Sequence, residues 1–376
     1  MRKIQMSDLR AQYERIKPEI DSAINGVLES TAFIKGPEVA LFEEELRKYN
    51  DVKHVISCAN GTDALSLALM ALGIKIGDEV ITSNFTFIAT VEAIALRRLK
   101  PVLIDPDPVS FNITAESIKK AMSHRTKAIM PVHLFGQCAD MEGIMKLAKE
   151  YNLFVIEDVA QATGADFIFR DKSVKKAGTI GHIGTTSFFP SKNLGCYGDG
   201  GALYTNDDNL AQKLRSIANH GMKVRYYYDD IGVNSRLDTI QAAILRVKLK
   251  YHDEFNDARR RVADFYDKKL SACAQIEIPK RMPFSTHIFN QYTIKVKDGR
   301  RDEFKKFLAS KDIPAMIYYP SPLHTQNAYK YLGYAETDFP VTTELCKQVI
   351  SLPMHTEMDE EQLEYIASAV LDFFNN

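Results

Sequence analysis

The stretch DEVITSNFTFIATVEAIALRRLKPVLID, residues 78–105, decides the fold. Its first part, DEVITS (78–83), is a short apolar run rich in β-branched residues, which is typical of a strand. FIATVEAIALRR (87–98) continues with apolar residues at helical spacing, and KPVLID (100–105) is a second strand. A strand, a helix and a strand in this order predict parallel strands connected by a covering helix.

The same alternation occupies the first 250 residues. Further strands are predicted at HVISCA (54–59), KAIMPVHL (127–134), LFVIEDV (153–159) and GALYTN (201–206). Further helices are predicted at DALSLALMAL (63–72), TAESIKKAM (114–122, with Thr114 as its cap), MEGIMKLAKEY (141–151) and LAQKLRSIAN (210–219). The pattern predicts an α/β fold with a large, mainly parallel sheet that helices cover on both faces.

The pattern changes near residue 240. A long charged helical stretch (239–270) precedes a strand, FNQYTIKV (289–296), and two amphipathic helices, DEFKKFLASK (302–311) and DEEQLEYIASAVLDFF (359–374). We therefore expect a large domain at residues 1–250 and a smaller C-terminal α+β domain at residues 251–376.

Composition excludes several classes of protein. The 376 residues are 45% hydrophobic with a net charge of -1, so no global positive field is present to hold nucleic acid or an acidic membrane. Five scattered cysteines, at 58, 138, 196, 273 and 346, argue against a disulfide framework and a zinc site. No apolar run resembles a signal peptide or approaches the roughly 20 residues of a membrane span. These features predict a cytoplasmic protein.

In open parallel sheets, ligands bind beyond the carboxyl ends of the strands. This rule selects residues 60–62, 85–87, 158–161 and 187–192. The last segment opens the run SFFPSKNLGCYGDGG (187–201), in which aromatics precede Lys192 and four glycines follow it. A lysine in a partly apolar pocket has a lowered pKa and a nucleophilic amine, as a Schiff-base lysine requires. A solvated lysine on a glycine-rich loop is the alternative.

Gly61 and Thr62 open a helix directly after a strand, where exposed backbone N–H groups suit an anion such as phosphate. Ser187 adds a second hydroxyl from another strand end. The alternative is that Thr62 or Asp63 simply caps the helix. The chain has neither GxxxxGK[ST] nor a GxGxxG that follows a strand, so nucleotide and dinucleotide fingerprints are absent.

Asp158 ends a strongly apolar strand, where a carboxylate is costly unless a cation such as a protonated pyridine pairs with it. A metal ligand or a cap for the next helix is the alternative. Gln161 is placed to bond a ring substituent, and Phe87 to stack on a flat ring, although a lone aromatic is more often part of a core. Phosphate, cationic ring and aldehyde together describe pyridoxal 5′-phosphate.

With these residues the chain closely resembles the DegT/DnrJ/EryC1/StrS family of sugar aminotransferases, which are fold-type I pyridoxal-phosphate enzymes. The resemblance covers nearly the whole chain. It is carried by FIKGPEVALFEEEL, SCANGTDALSLAL, GDEVITSNFTFIATVEAI, RTKAIMPVHLFGQCADM, VIEDVAQATGA, SFFPSKNLGCYGDGGA, GVNSRLDTIQAAIL and ISLPMH. Val159, Cys138 and Tyr228 depart from the usual pattern. The departure at Tyr228, near the sugar site, leaves the identity of the substrate open and touches no cofactor contact.

The resemblance implies roles for individual residues. Lys192 matches the Schiff-base lysine, and Asp158 and Gln161 match the contacts to the ring nitrogen and ring hydroxyl. Gly61, Thr62 and Ser187 match phosphate contacts, Phe87 the stacking aromatic, and Tyr318 and His324, in YYPSPLH, a stretch near the sugar nucleotide. Asn234 matches an asparagine that reaches the phosphate of the neighbouring subunit, which implies a homodimer with shared active sites.

The implied reaction is transfer of an amino group from L-glutamate to a keto sugar linked to UDP or dTDP, most similar to amination of a 3-oxo sugar, for a surface polysaccharide or a related glycan. The cofactor alternates between its pyridoxal and pyridoxamine forms. Lysine at position 192, where family dehydratases carry histidine, favours amination. Two alternatives are a glycosyltransferase with a DxD metal site at Asp105-Pro106-Asp107 and a non-catalytic regulatory protein of the same fold.

Overall fold

The computed structural model of the chain describes residues 2–375. The strands are β1 His54–Cys58, β2 Glu79–Ser83, β3 Lys100–Ile104, β4 Thr126–Met130, β5 Phe154–Asp158, β6 Asp166–Ile168, β7 Val174–Lys176, β8 Ile183–Ser187, β9 Gly201–Thr205, β10 Met222–Val224, β11 Tyr227–Tyr228, β12 Ile276–Glu277, β13 Tyr292–Val296 and β14 Val349–Leu352. The helices are α1 Leu9–Ser30, α2 Pro37–Asn50, α3 Gly61–Ala71, α4 Ile88–Leu96, α5 Ala115–Ala121, α6 Met141–Tyr151, α7 Asp208–Ile217, α8 Thr239–Lys250, α9 His252–Leu270, α10 Arg301–Ser310, α11 Pro340–Gln348 and α12 Glu360–Asn375, with 3₁₀ turns at Leu134–Gly136, Leu323–Thr325 and Asn327–Leu332.

A seven-stranded sheet in the order β1-β9-β8-β5-β4-β2-β3 confirms the predicted α/β fold. β9 pairs antiparallel with β1 and β8, whereas the other neighbours are parallel. Successive residues of β2 enter different cores, because side chains alternate across a strand. Val80 packs in a core with α3, α4 and α7, and Ile81 packs in another with α5 and α6. Helices thus cover both faces of the sheet.

The quoted stretch forms β2, α4 and β3, and β2 pairs in parallel with β3 from Glu79 opposite Lys100 to Ser83 opposite Ile104. Thr114 caps α5 as predicted, since its hydroxyl accepts a hydrogen bond from the N–H of Ser117 at 3.1 Å. The helix predicted over 239–270 is instead two helices, α8 and α9, which meet at Tyr251.

The bounds of the central strand β8 were not predicted, although Ser187 was placed at a strand end. Its sequence, IGTTS, is buried over its first four residues, but only the isoleucine is a large apolar residue. Small residues suit this position because Gly178 lies against Gly184, where a Cβ would be 2.1 Å from the carbonyl oxygen of Gly178. Hydrophobic periodicity therefore gave no signal for a strand that tertiary packing imposes.

The C-terminal part contains a second, antiparallel sheet in the order β12-β13-β14. Its core combines residues of this sheet with residues of α9, α10 and α12. Ile4 also packs in this core, so the segment around Ile4 lies on the C-terminal unit. The domain boundary at residue 250 stays a prediction. Within residues 2–375, no helix is both long and apolar enough to cross a membrane.

Candidate active site

A cavity of about 740 Å³ lies beyond the carboxyl ends of the parallel strands. The structure brings most of the predicted residues together there, because the strand ends share one edge of the sheet. The lining includes Gly61, Thr62, Phe87, Asp158, Gln161, Ser187, Lys192 and Tyr318.

The N-terminus of α3 forms one end of this cavity. Asn60 caps the helix, since its side-chain oxygen accepts from the N–H of Asp63 at 2.8 Å, so the alternative of a cap at Thr62 or Asp63 is wrong. Gly61 lies against Ser187, because a Cβ added to Gly61 would be 2.6 Å from the Cβ of Ser187. A helix N-terminus flanked by the hydroxyls of Thr62 and Ser187 fits a phosphate.

Asp158 is 5% exposed at the end of β5. Its carboxylate accepts hydrogen bonds from the Thr90 hydroxyl at 2.9 Å and from the N–H of Ala160 at 3.1 Å. Burial raises the pKa of Asp158, against those two hydrogen bonds and the positive charge of Lys192. A buried carboxylate of this kind fits a cationic ring N–H, which would restore its ionised form.

Both alternatives for Asp158 are disfavoured. A turn rather than a helix follows it, and the next element is β6. No group of three or more His, Cys, Asp or Glu side chains among residues 2–375 is arranged to hold a metal ion.

Lys192 lies on the loop after β8, where its backbone N–H donates to the carbonyl of Phe189 at 2.8 Å. The loop turns back on itself, and a Cβ at Gly195 would be 2.4 Å from the carbonyl oxygen of Pro190. Burial lowers the pKa of Lys192, against the opposing attraction of Asp158. An amine with a lowered pKa in a cavity is suited to attack an aldehyde, unlike a solvated lysine.

Gln161 is held from two sides. Its side-chain oxygen accepts from the N–H of Phe135 at 2.8 Å, and its amide nitrogen donates to the hydroxyl of Tyr319 at 3.1 Å. Phe87, the residue before α4, is 56% exposed and tilts toward the ring of Tyr319, with centroids 6.5 Å apart. Phe87 is therefore not a core residue, and its face is accessible to a flat ligand.

Sequence reasoning missed Thr90 and Tyr319, which both line the cavity. Thr90 lies in the first turn of α4, so a polar residue one turn after Phe87, in a helix whose other residues are apolar except Glu92, was the available signal. Tyr319 follows Tyr318 directly, but only the first tyrosine was selected.

Two predicted residues lie outside the lining. Asn234 is exposed and forms an isolated bridge with Asn219. His324 is buried, with Nδ1 2.8 Å from the amide nitrogen of Asn84 and its ring 4.6 Å from that of Phe339. Their proposed contacts with the partner's phosphate and with the sugar stay predictions.

The acidic pair after β3 has structural partners. Asp105 accepts from the N–H groups of Val341 and Thr342, at 3.0 and 2.8 Å, at the start of α11. Asp107 accepts from the N–H of Ser110 at 2.7 Å within its own loop. Because these carboxylates stabilise a helix end and a turn, the structure gives no support to a DxD metal site.

The chain is similar to known proteins in sequence and in fold. Residues 14–371 match the model of the DegT/DnrJ/EryC1/StrS aminotransferase family. The chain is 45% identical over 375 residues to a pleiotropic regulatory protein of Geobacillus stearothermophilus, covering 99% of each chain. It is 43% identical over 367 residues to the UDP-2-acetamido-2-deoxy-3-oxo-D-glucuronate aminotransferase of Pseudomonas aeruginosa, covering 98% of this chain and 99% of that protein. It also matches the crystal structure of DesV from S. venezuelae in complex with a ketimine intermediate, with a TM-score of 0.96, 35% identity and 100% of both chains covered.

Proposed function

The chain belongs to the DegT/DnrJ/EryC1/StrS aminotransferase family, and we propose that it transfers an amino group to a nucleotide-linked 3-oxo sugar. It is an aminotransferase that depends on pyridoxal 5′-phosphate. The single observation that carries the proposal is that Lys192 and Asp158 line one cavity. The pKa of Asp158 is raised and that of Lys192 is lowered there, and each shift favours the neutral form of the group. This pair favours a catalytic protein over a purely regulatory one.

When bound, the cofactor's protonated ring draws electrons from the carbon that loses a proton. The N-terminus of α3, with Thr62 and Ser187, would hold its phosphate, and Asp158 would hold its ring N–H. Thr90 keeps the Asp158 carboxylate oriented through its hydrogen bond. Gln161 would bond the ring hydroxyl, and Phe87 would cover one face of the ring.

Lys192 would move the proton. Burial lowers its pKa, against the attraction of Asp158, so its amine is more readily neutral at neutral pH and can accept a proton from Cα of the amino donor. The same amine can return a proton in the half-reaction with the sugar, because one base with access to the reacting carbon serves both directions.

We propose L-glutamate as the amino donor and a UDP-linked or dTDP-linked sugar as the acceptor. The name of the Pseudomonas aeruginosa relative, at 43% identity, supports a UDP-linked sugar with a 3-oxo group. The amino sugar formed would serve a surface polysaccharide or a related glycan.

We further propose a homodimer in which Asn234 of each chain completes the cavity of the other. Asn234 is exposed and outside its own cavity, which supports this arrangement. The hairpin of β10 and β11 precedes it, and Tyr226, Tyr227 and Tyr228 there are each at least 61% exposed. An exposed aromatic run of this kind is typical of an interface.

The test is turnover of purified protein with pyridoxal phosphate, L-glutamate and a UDP-linked 2-acetamido-3-oxo sugar. Mass spectrometry should find the 3-amino sugar and equimolar 2-oxoglutarate. Lys192→Ala should abolish both products while its circular dichroism and thermal unfolding stay those of a folded protein. Undiminished amino transfer by Lys192→Ala would refute the mechanism, and turnover with dTDP sugars alone would correct the nucleotide.

A further inference from the structure

A chain of buried amide side chains leads from the lysine loop into the C-terminal unit. Asn193, the neighbour of Lys192, and the side chains of Asn256 and Asn290 are each at most 5% exposed. The amide nitrogen of Asn193 donates to the side-chain oxygen of Asn256 at 2.7 Å, and that of Asn290 donates to the side-chain oxygen of Asn193 at 3.0 Å. These bonds fix the loop, because an unpaired amide in the interior is costly.

The segment that carries Asn290 is also tied to the opposite wall of the cavity. The backbone N–H of Asn290 donates to the carbonyl of Phe135 at 2.8 Å, and the N–H of Phe135 donates to the side-chain oxygen of Gln161 at 2.8 Å. Asn290 therefore connects two walls of the cavity. Its side chain bonds to Asn193 on the lysine loop, and its backbone bonds to Phe135, which bonds to Gln161. The first wall carries Lys192 and the second carries Gln161.

Helix α9 holds this segment from behind. Asn256 and Arg259 lie one turn apart on α9. The guanidinium of buried Arg259 donates to the carbonyl oxygens of Phe289 and Asn290, both at 3.3 Å. One helix thus anchors both the lysine loop, through Asn256, and the backbone next to it, through Arg259.

We propose that Asn193 and Asn256 are positioning residues that hold the amine of Lys192 at a fixed place relative to the Gln161 wall. Neither residue lines the cavity, so they act through Lys192 and Asn290. The inference rests on the proposed function, in which Lys192 moves the proton. A base that moves a proton must lie within hydrogen-bond reach of it, so a small displacement of the loop slows the reaction.

The first readout is steady-state kinetics of Asn193→Ala and Asn256→Ala. We expect kcat to fall about tenfold or more while KM for the sugar nucleotide changes less than about threefold, because the binding surface is intact and only the lysine is displaced. The matched control is Asn50→Ala. Asn50 is an equally buried amide at the end of α2 that lies outside the cavity lining, and we expect its variant to keep the wild-type kcat.

The second readout uses the protein without cofactor. Competitive labelling with acetic anhydride across pH, read by mass spectrometry, gives the apparent pKa of Lys192. A loosened loop admits water, so both variants should raise this pKa toward the ordinary value for lysine, and Asn50→Ala should leave it unchanged. Thermal unfolding of each variant identifies any that does not fold. If Asn193→Ala does not fold, the kinetic and labelling measurements on Asn256→Ala decide the test.

The two proposals fail in different ways. If the wild-type protein transfers no amino group, the proposed function fails, and the labelling experiment still decides whether the amide chain positions Lys192. If the wild-type protein is active and both variants match Asn50→Ala in kcat and in the pKa of Lys192, the positioning role is overturned.

Discussion

The pKa values of Asp158 and Lys192 are shifted in opposite directions for one physical reason, since burial disfavours the charged form of each group. Burial raises the pKa of Asp158 and lowers that of Lys192, and their mutual attraction opposes both shifts. The buried Asp158 carboxylate therefore favours a cationic partner, and the Lys192 amine loses its proton more easily than an exposed lysine does. Neither property follows from residue type, because both depend on the water that the fold excludes.

Thr90 provides a test at the residue scale. Thr90→Val should lower kcat about tenfold, because a hydrogen bond to a charged group contributes about 1.5 kcal/mol. Thr90→Ser keeps the hydroxyl that donates to Asp158 and should stay near the wild-type kcat. Equal kcat values for the valine and serine variants would show that the hydroxyl does not orient Asp158.

At the scale of elements, the contact between α3 and β8 shapes the proposed phosphate end of the cavity. Gly61→Ala places a Cβ 2.6 Å from that of Ser187, so α3 or β8 must shift. We expect cofactor affinity, measured by fluorescence titration, to fall about tenfold as the helix N-terminus moves. Gly26→Ala in α1 is the control, since nothing lies within 4 Å of its added Cβ. Unchanged affinity in Gly61→Ala would contradict this account of the phosphate site.

Helix α8 contains a buried lysine, Lys248, and burial disfavours its charged form. Lys248 is 1% exposed, its amine lies 5.0 Å from the ring centroid of Tyr197, and its titratable or charged neighbours include Cys196 and Arg259. Burial lowers the pKa of Lys248 from 10.5 to about 8. Between these values the unfolded lysine binds a proton that the folded one does not, so stability rises with pH.

Urea unfolding across pH tests this linkage. Relative to Lys248→Met, the free energy of unfolding of the wild-type protein should rise by up to about 1.4 kcal/mol per pH unit above pH 8. Below pH 8 both states of Lys248 are protonated, and the difference between the two proteins should be constant. If the difference in the free energy of unfolding between the two proteins stays constant from pH 7 to pH 10, the pKa of Lys248 is not lowered.

The predictability of the elements followed their packing. Residues 141–151 were predicted as a helix with the bounds of α6, because one apolar stripe faces the core. β8 gave no such pattern, since its burial comes from small residues under neighbouring backbone. The break at Tyr251 between α8 and α9 was also missed, because charged residues at helical spacing continue across it without interruption.

At the scale of the whole molecule, the proposed dimer predicts complementation between variants. Lys192→Ala and Asn234→Asp should each be inactive or nearly so, the second because its carboxylate would repel the partner's phosphate. When the two chains are unfolded together and refolded, roughly a quarter of wild-type activity should return, since half of the dimers are mixed and each has one intact site. No recovery, with dimers present on gel filtration, would mean that Asn234 serves its own chain's site.

The sequence by itself determined the α/β class, the strand ends that line the cavity, and the residues from which a phosphorylated, cationic aldehyde was predicted as the ligand. These follow from local periodicity and from the rule that parallel strands present their carboxyl ends at one edge. Only the tertiary structure decided that Asn60 rather than Thr62 caps α3, that Thr90 holds Asp158, and that Asn290 connects the two walls of the cavity. These contacts join residues distant along the chain or depend on side-chain direction, and both are set by packing.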